Sequence, residues 1–309
     1  MSATAPSGAP EASTARIGLV QLAAGDDVDA NLRQALDLAG RALDAGARLV
    51  ALPEAFLYRG RAEGFRASAR PVPGPHTEPF SALARERGAW LLLGSVAEAG
   101  EDPRRPYITS VLVGPDGAIA ATYRKVHLFD VSVDAGPSAH ESGRATPGTG
   151  AVVADIPLRD LVPPRWPRTA ASVAPPPESA LRLGMSVCYD VRFPELYRVL
   201  TLAGAEVLCV PADFTERTGR DHWEPLLRAR AIENIAYVIA PAQFGTPPEG
   251  NTAYGHSMVV DPWGIVVAQA SDGPGIVLAD IDPARVAAAR RQIPALANRR
   301  PDAYRLLGE

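Results

Sequence analysis

Only two of the chain's 309 residues are cysteine, too few for a disulfide framework. That scarcity fits a reducing compartment, and a cytoplasmic location is expected. Histidine is almost as sparse: His76, His127, His140, His222 and His256 are scattered without ligand-like pairing, so no metal is expected. No apolar run approaches membrane-spanning length. An excess of one charge sign is missing too. The formal net charge is -4, which gives no basic surface for nucleic acid and no hint of a membrane partner. Residues 1–15 are rich in Ala, Ser, Thr and Pro and lack the basic start and apolar core of a secretory leader. They read as a disordered tail ahead of a single domain over 16–309.

Within that domain, strand and helix patterns alternate. Arg16 to Leu22 reads as a strand, and Val28 to Ala45 as a helix with Leu32, Leu36, Ala39 and Leu43 on one face and Asp27 as N-cap. Arg48 to Leu52 is a second strand, Glu78 to Arg87 a helix, and Ala89 to Val96 an apolar strand buried on both faces. Hairpins are expected across Pro115-Asp116-Gly117 and Pro262-Trp263-Gly264. A helix is expected from about His222 to Ala236, the strand Tyr237 to Ala242 after it, and a last helix from Pro283. Residues 158–180 hold six prolines and no periodicity, and read as an irregular surface insertion. Helices outside mixed sheets make an α/β layered domain.

The most informative stretch is Gly184 to Arg198, GMSVCYDVRFPELYR. Leu181, Leu183, Met185 and Val187 alternate as a strand, and Phe193-Pro194-Glu195 starts a helix. Cys188 lies between them, where a thiol can be accessible on one side and face backbone N–H groups on the other. Most lone cysteines are inert core, and Cys209, inside the apolar run Val207 to Val210, reads that way. Cys188 differs in having Asp190, Arg192 and Glu195 close by in the chain. Two further residues also follow strands: Glu54 after Leu52-Pro53, and Lys125 after Ala118 to Tyr123. No histidine takes such a place near Cys188, so a carboxylate is the candidate base for the thiol. A lysine ammonium favours thiolate and can hold an oxyanion. Acyl transfer through a thioester is the chemistry this set permits.

The words LPEAF, YRKVHLFD and GMSVCYDVRFPELYR resemble the three signature segments of the nitrilase superfamily, the carbon–nitrogen hydrolases. HWEPLLRARAIEN and GHSMVVDPWG resemble segments of its Nit branch, which contains deaminated glutathione amidase and omega-amidase. The similarity runs in order from about Arg16 to Tyr304. It implies a four-layer αββα sandwich with a Glu–Lys–Cys triad: Glu54 as general base, Lys125 holding the intermediate, Cys188 as nucleophile. It also implies that Glu141 is a second active-site glutamate and that the Tyr189 backbone N–H completes an oxyanion hole. No cofactor is implied, and a homodimer or larger homo-oligomer, formed partly by the helix after the cysteine, is. Ile108 stands where the family usually has asparagine.

The activity implied is hydrolysis of a small carboxylate-bearing amide to acid plus ammonia. Arg192, four residues past the nucleophile, is a candidate carboxylate ligand, since a guanidinium grips a carboxylate bidentately. The competing role is an ion pair with Asp190 or Glu195. The resemblance adds Phe214 and Thr218 to the substrate pocket. The alternatives are an omega-amidase acting on α-ketoglutaramate, another superfamily activity such as nitrilase or carbamoylase, or an inactive scaffold of the same fold.

Overall fold

The computed structural model describes residues 14–132, 138–161 and 179–303. Most of the expected N-terminal tail and the centre of the expected insertion lie outside those residues. Ala15 already belongs to the first strand.

Two six-stranded sheets carry the fold. The first has the spatial order Gly275–Ile281, Ala15–Gln21, Leu49–Ala51, Trp90–Glu98, Tyr107–Val113, Ile119–Arg124. The second runs Val266–Gln269, Met258–Val260, Tyr237–Ala240, Val207–Cys209, Ala180–Met185, Val152–Pro157. In each, the central pairings are parallel and the outer ones antiparallel, so both sheets are mixed.

Period-two alternation assigns the faces. Ile17, Leu49, Ala51 and Leu92 join one core cluster with Leu181, Leu183 and Met185 of the second sheet. Val50, Leu52, Leu91 and Leu93 point the other way, onto Ala35, Leu38, Ala39 and Ala42 of the helix Val28–Asp44 and Phe80 of the helix Glu78–Arg87. Helices Pro194–Leu202 and Glu216–Asn234 cover the second sheet. The layers are therefore helix, sheet, sheet, helix: a four-layer αββα sandwich.

Local expectations survive where the signal is local. Asp27 caps the first helix by accepting from Ala30 N at 3.0 Å, and Glu78–Arg87 forms as read. Three differences are instructive. The helix expected from His222 begins at Glu216 and carries Pro225 inside it. Thr215 supplies an extended N-cap, and Gly219 in the turn before His222 packs so closely on Tyr254 that a Cβ there would lie 2.4 Å from the Tyr254 Cβ, a proximity no local pattern reveals. The strand before Lys125 is not apolar and sheltered: Ile119–Arg124 is an edge strand, exposed at alternate positions. A short helix, Ala62–Ser68, was not anticipated.

The insertion is irregular only in part. Its first residues, Leu158–Leu161, form a helical turn, Leu161 is fully buried, and Trp90 donates to Asp160 at 3.2 Å. Pro157 and Ala180 pair across its base, and Leu158 N donates to Ser179 O. Replacing residues 162–178 with a short Gly-containing turn should therefore shift unfolding by no more than about 1 kcal/mol, since loop closure depends only weakly on length. Leu161→Ala should cost about 2–5 kcal/mol as a core truncation. Urea midpoints of the two variants measure both. A collapse of the shortened protein with Leu161 retained would make the insertion part of the fold.

Candidate active site

Three strand-to-loop junctions converge on one cavity of about 190 Å³. Glu54 follows Leu49–Ala51, Lys125 follows Ile119–Arg124, and Cys188 follows Ala180–Met185. All eight residues singled out in the sequence line it: Glu54, Lys125, Glu141, Cys188, Tyr189, Arg192, Phe214 and Thr218.

The junctions have unusual backbones. Cys188 has φ 49°, and Ala55, just after Glu54, has φ 53°. This left-handed region costs a residue with a side chain about 1–2 kcal/mol, so the surroundings must enforce it. Cys188 N donates to Pro211 O at 2.8 Å, and Ala55 N donates to Ser95 Oγ at 3.0 Å. Two glycines allow the backbones to come this close. A Cβ on Gly94 would lie 2.0 Å from Leu52 O and 2.5 Å from Pro53 C, directly under the Glu54 junction. A Cβ on Gly148 would lie 2.0 Å from Arg124 O, and Gly148 N donates to Lys125 O at 2.8 Å. Both positions require glycine for close approach.

Lys125 is the centre of the polar contacts. Its Nζ donates to Glu54 Oε1 at 2.9 Å and to Glu141 Oε2 at 2.8 Å, with the side chain 1% exposed. Burial alone would lower the pKa of this ammonium. Glu141 and Glu54, with the Cys188 sulfur, outweigh burial and hold it well above the ordinary lysine value. The carboxylates diverge. Burial pushes Glu54 up despite Lys125. Glu141 falls below the usual range, because Lys125, Arg144 and the Phe129 N–H together overcome its burial. Burial and then the charge of Glu54 push Cys188 well up, and Lys125 opposes them. Burial thus favours the thiol form of Cys188 beside Glu54.

Several contributors were not visible in the sequence. Asp213 N donates to the second oxygen of Glu54 at 2.9 Å, and Gln243 Nε2 donates to Glu54 O at 2.9 Å. Arg59 is buried in the cavity wall and pairs with Asp213 at 3.0 Å. Nothing in their local sequence marks these three. Ile108, in the asparagine's place, gives its carbonyl to Lys125 N at 2.8 Å and an apolar side chain to the cavity. A histidine packs against the nucleophile's turn without lining the cavity. His127 Nδ1 lies 2.7 Å from Asp190 Oδ1, and its ring stacks on Phe193 with centroids 3.6 Å apart.

Arg192 forms no ion pair with Asp190 or Glu195. Asp190 is bonded to Tyr123, His127 and Val187 instead. The Arg192 guanidinium sits 5.2 Å from the Phe214 ring centroid and 3.4 Å from His222 Nδ1, with the cavity beside it. Thr218 Oγ1 is 2.8 Å from Thr215 Oγ1 on the same wall. The Tyr189 N–H is in the first turn of a 3₁₀ segment, Cys188–Arg192, where N–H groups lack partners within the helix.

Removing the lysine charge gives a test with a definite sign. Lys125→Met should cost about 3–5 kcal/mol at pH 7, the usual penalty for stranding buried charges. Without the cation, Glu54 and Glu141 would have folded-state pKa values above their unfolded ones. The penalty is then absent below the unfolded carboxylate range, roughly pH 4, and grows as pH rises through the raised values. Urea midpoints of wild type and variant should converge as pH falls toward about 4. A gap that stays constant with pH would contradict the electrostatic account.

The carbon-nitrogen hydrolase family matches residues 16–291. Deaminated glutathione amidase of Homo sapiens is 42% identical over 297 residues, covering 94% of this chain and 84% of that protein. Omega-amidase NIT2 of Homo sapiens is 35% identical over 289 residues, covering 94% and 96%. The crystal structure of the C. elegans NitFhit protein superposes with a TM-score of 0.81 at 35% identity, covering 96% of this chain and 67% of that one. No helix among the described residues is long and apolar enough to cross a membrane. With a family match across most of its length, and relatives and a fold to agree with it, the chain belongs to the carbon–nitrogen hydrolase family.

Proposed function

We propose that this enzyme hydrolyses a small carboxylate-bearing amide through a thioester on Cys188, with deaminated glutathione as the first substrate to test. The observation that carries the reading is the Lys125 ammonium bonded to Glu54 and Glu141 in the wall that also holds the Cys188 thiol. Similarity to deaminated glutathione amidase supports the substrate class.

In the resting state the cluster holds one cation, two carboxylates and a neutral thiol. Transfer of the thiol proton to Glu54 keeps the total charge unchanged, so attack begins by moving charge rather than creating it in a buried site. The raised Glu54 suits a base that must accept that proton. Cys188 sulfur bonds to the amide carbon, and the carbonyl electron pair moves onto oxygen. Lys125 and the Tyr189 N–H stabilise that oxyanion. Glu54 passes its proton to the leaving nitrogen, the C–N bond breaks, and the amine or ammonia departs. Glu54 then takes a proton from water, whose oxygen attacks the thioester carbon. The C–S bond then breaks, Glu54 returns its proton to sulfur, and the acid leaves. Glu141 accepts a second hydrogen bond from Lys125, so the ammonium keeps one fixed partner as Glu54 gains and loses charge. Arg192, above Phe214 and close to Thr218, is the carboxylate anchor and fixes the distance from carboxylate to scissile carbon.

The chain also forms a homodimer in this reading. Val199 and Leu202 of the helix after the nucleophile, with Ile232, Trp263 and Ile265, are large apolar residues left about half exposed. Unpaired cysteines support a cytoplasmic location.

Purified protein should be offered deaminated glutathione, α-ketoglutaramate, uncharged amides and a simple nitrile, with released amine or ammonia measured. Turnover should favour the acids and vanish in Cys188→Ala. Lys125→Ala should lower kcat by about 10²–10³, the scale of losing an oxyanion donor. Arg192→Met should lower kcat/KM for the acids by about 2–4 kcal/mol and leave uncharged amides nearly unchanged. Equal losses on both would assign Arg192 to structure. A wild-type preference for the nitrile would remove the amidase reading.

A further inference from the structure

Asp190 is completely buried, two residues beyond Cys188, yet it does not line the cavity. Its carboxylate is saturated. Oδ2 accepts from Tyr123 Oη at 2.7 Å and from Val187 N at 2.8 Å. Oδ1 accepts from His127 N at 3.1 Å and lies 2.7 Å from His127 Nδ1, which must carry the proton because a carboxylate only accepts.

The origin of these donors is what matters. Tyr123 and His127 stand two residues either side of Lys125, at the end of the edge strand of the first sheet. Val187 immediately precedes Cys188, at the end of a strand of the second sheet. Elsewhere the two sheets meet largely through apolar side chains, as in the cluster of Leu92 with Leu183 and Met185. Apolar contact is non-directional and does not fix the register of one sheet on the other. Three directional hydrogen bonds from the first sheet to one buried carboxylate do, and the fourth, from Val187 N, holds that carboxylate to its own turn. The His127 ring, stacked on Phe193 just before the next helix, braces the same junction.

We infer that Asp190 is a positioning residue: it fixes the Lys125 segment against the Cys188 turn, so that the ammonium stays placed for the charge that develops at Cys188. It touches neither substrate nor sulfur and acts through Lys125. The inference rests on the assignment of Cys188 and Lys125 above. A displacement of about 1 Å at such a pair is worth on the order of 10² in rate. Asp190→Asn keeps the volume but turns an NH2 toward groups that are themselves donors, which opens that side of the clamp.

The test has two readouts. In turnover, Asp190→Asn should lose about 10²-fold in kcat with KM changed by no more than about threefold, as for an interaction made in the transition state. In the free enzyme, iodoacetamide alkylation of Cys188, followed by mass spectrometry against pH, should move to higher pH. The sulfur then loses the nearby ammonium while still facing Glu54. The same substitution in a Lys125→Met background should move the alkylation profile no further. A merely structural aspartate would shift the profile equally in both backgrounds, and that result overturns the inference. Wild-type kcat in Asp190→Asn also overturns it. Should Asp190→Asn fail to fold, Tyr123→Phe removes one of the four bonds and is judged by the same alkylation comparison, with a smaller loss of about five- to tenfold in kcat. Persisting turnover in Cys188→Ala would defeat the nucleophile assignment instead. An inactive Cys188→Ala beside a fully active Asp190→Asn would defeat only the positioning role.

Discussion

A lysine ammonium with 1% of its side chain exposed cannot remain charged unless anions surround it, and two glutamates meet that need here. Neither glutamate could stay buried and charged without a large penalty if the lysine were lost. The three therefore stand or fall together, and their mutual requirement sets the positions of three chain segments that are distant in sequence. Glu54 and Glu141 share the cation but not a titration. One is pushed up by burial, the other held down by Lys125, Arg144 and a backbone N–H. Two carboxylates on one ammonium thus come to differ by environment: one able to accept a proton, the other a fixed counter-ion.

Much of the surrounding structure serves to bring backbone close to this cluster. Gly94 and Gly148 lie where any side chain would collide with the chain at Leu52–Pro53 and Arg124. Ser95 and Pro211 hold the two left-handed residues Ala55 and Cys188. Gln243 ties the Glu54 backbone to a loop of the second sheet, and Gln21 does the same nearby through Ser257. These are polar groups with directional partners set in an apolar sandwich. The apolar contacts supply the driving force for stacking the sheets, and the polar links decide their register.

The cavity wall divides by chemistry. Glu54, Lys125, Glu141 and Cys188 form a charged floor, while Phe214, Tyr189, Phe129 and Phe65 give apolar surface around it. Arg192 rests near aromatic faces and an exposed histidine rather than in a tight carboxylate pair, so its charge is available at the cavity. An arginine already locked into an ion pair, as Arg59 is with Asp213, organises the protein and has little left to offer a ligand.

Sequence alone determined an α/β layered domain and a set of candidate site residues, and the family resemblance supplied the four-layer order and the roles expected of them. Alternating apolar residues fixed strand faces, Asp27 marked a helix start, and Glu54, Lys125 and Cys188 stood out because each follows a strand. Those signals are local, and a local pattern is enough to specify them. Tertiary structure decided the rest. Asp213 N and Gln243 reach Glu54 from positions 159 and 189 residues away, and Asp190 joins Tyr123 from 67. Gly219 in the early turn of the helix Glu216–Asn234 packs against Tyr254, and Leu161 is buried where its turn meets the first sheet. A hydrogen bond between residues that far apart leaves no periodicity behind. It exists only once burial has removed water as the competing partner, and that is a property of the packed sandwich rather than of any segment.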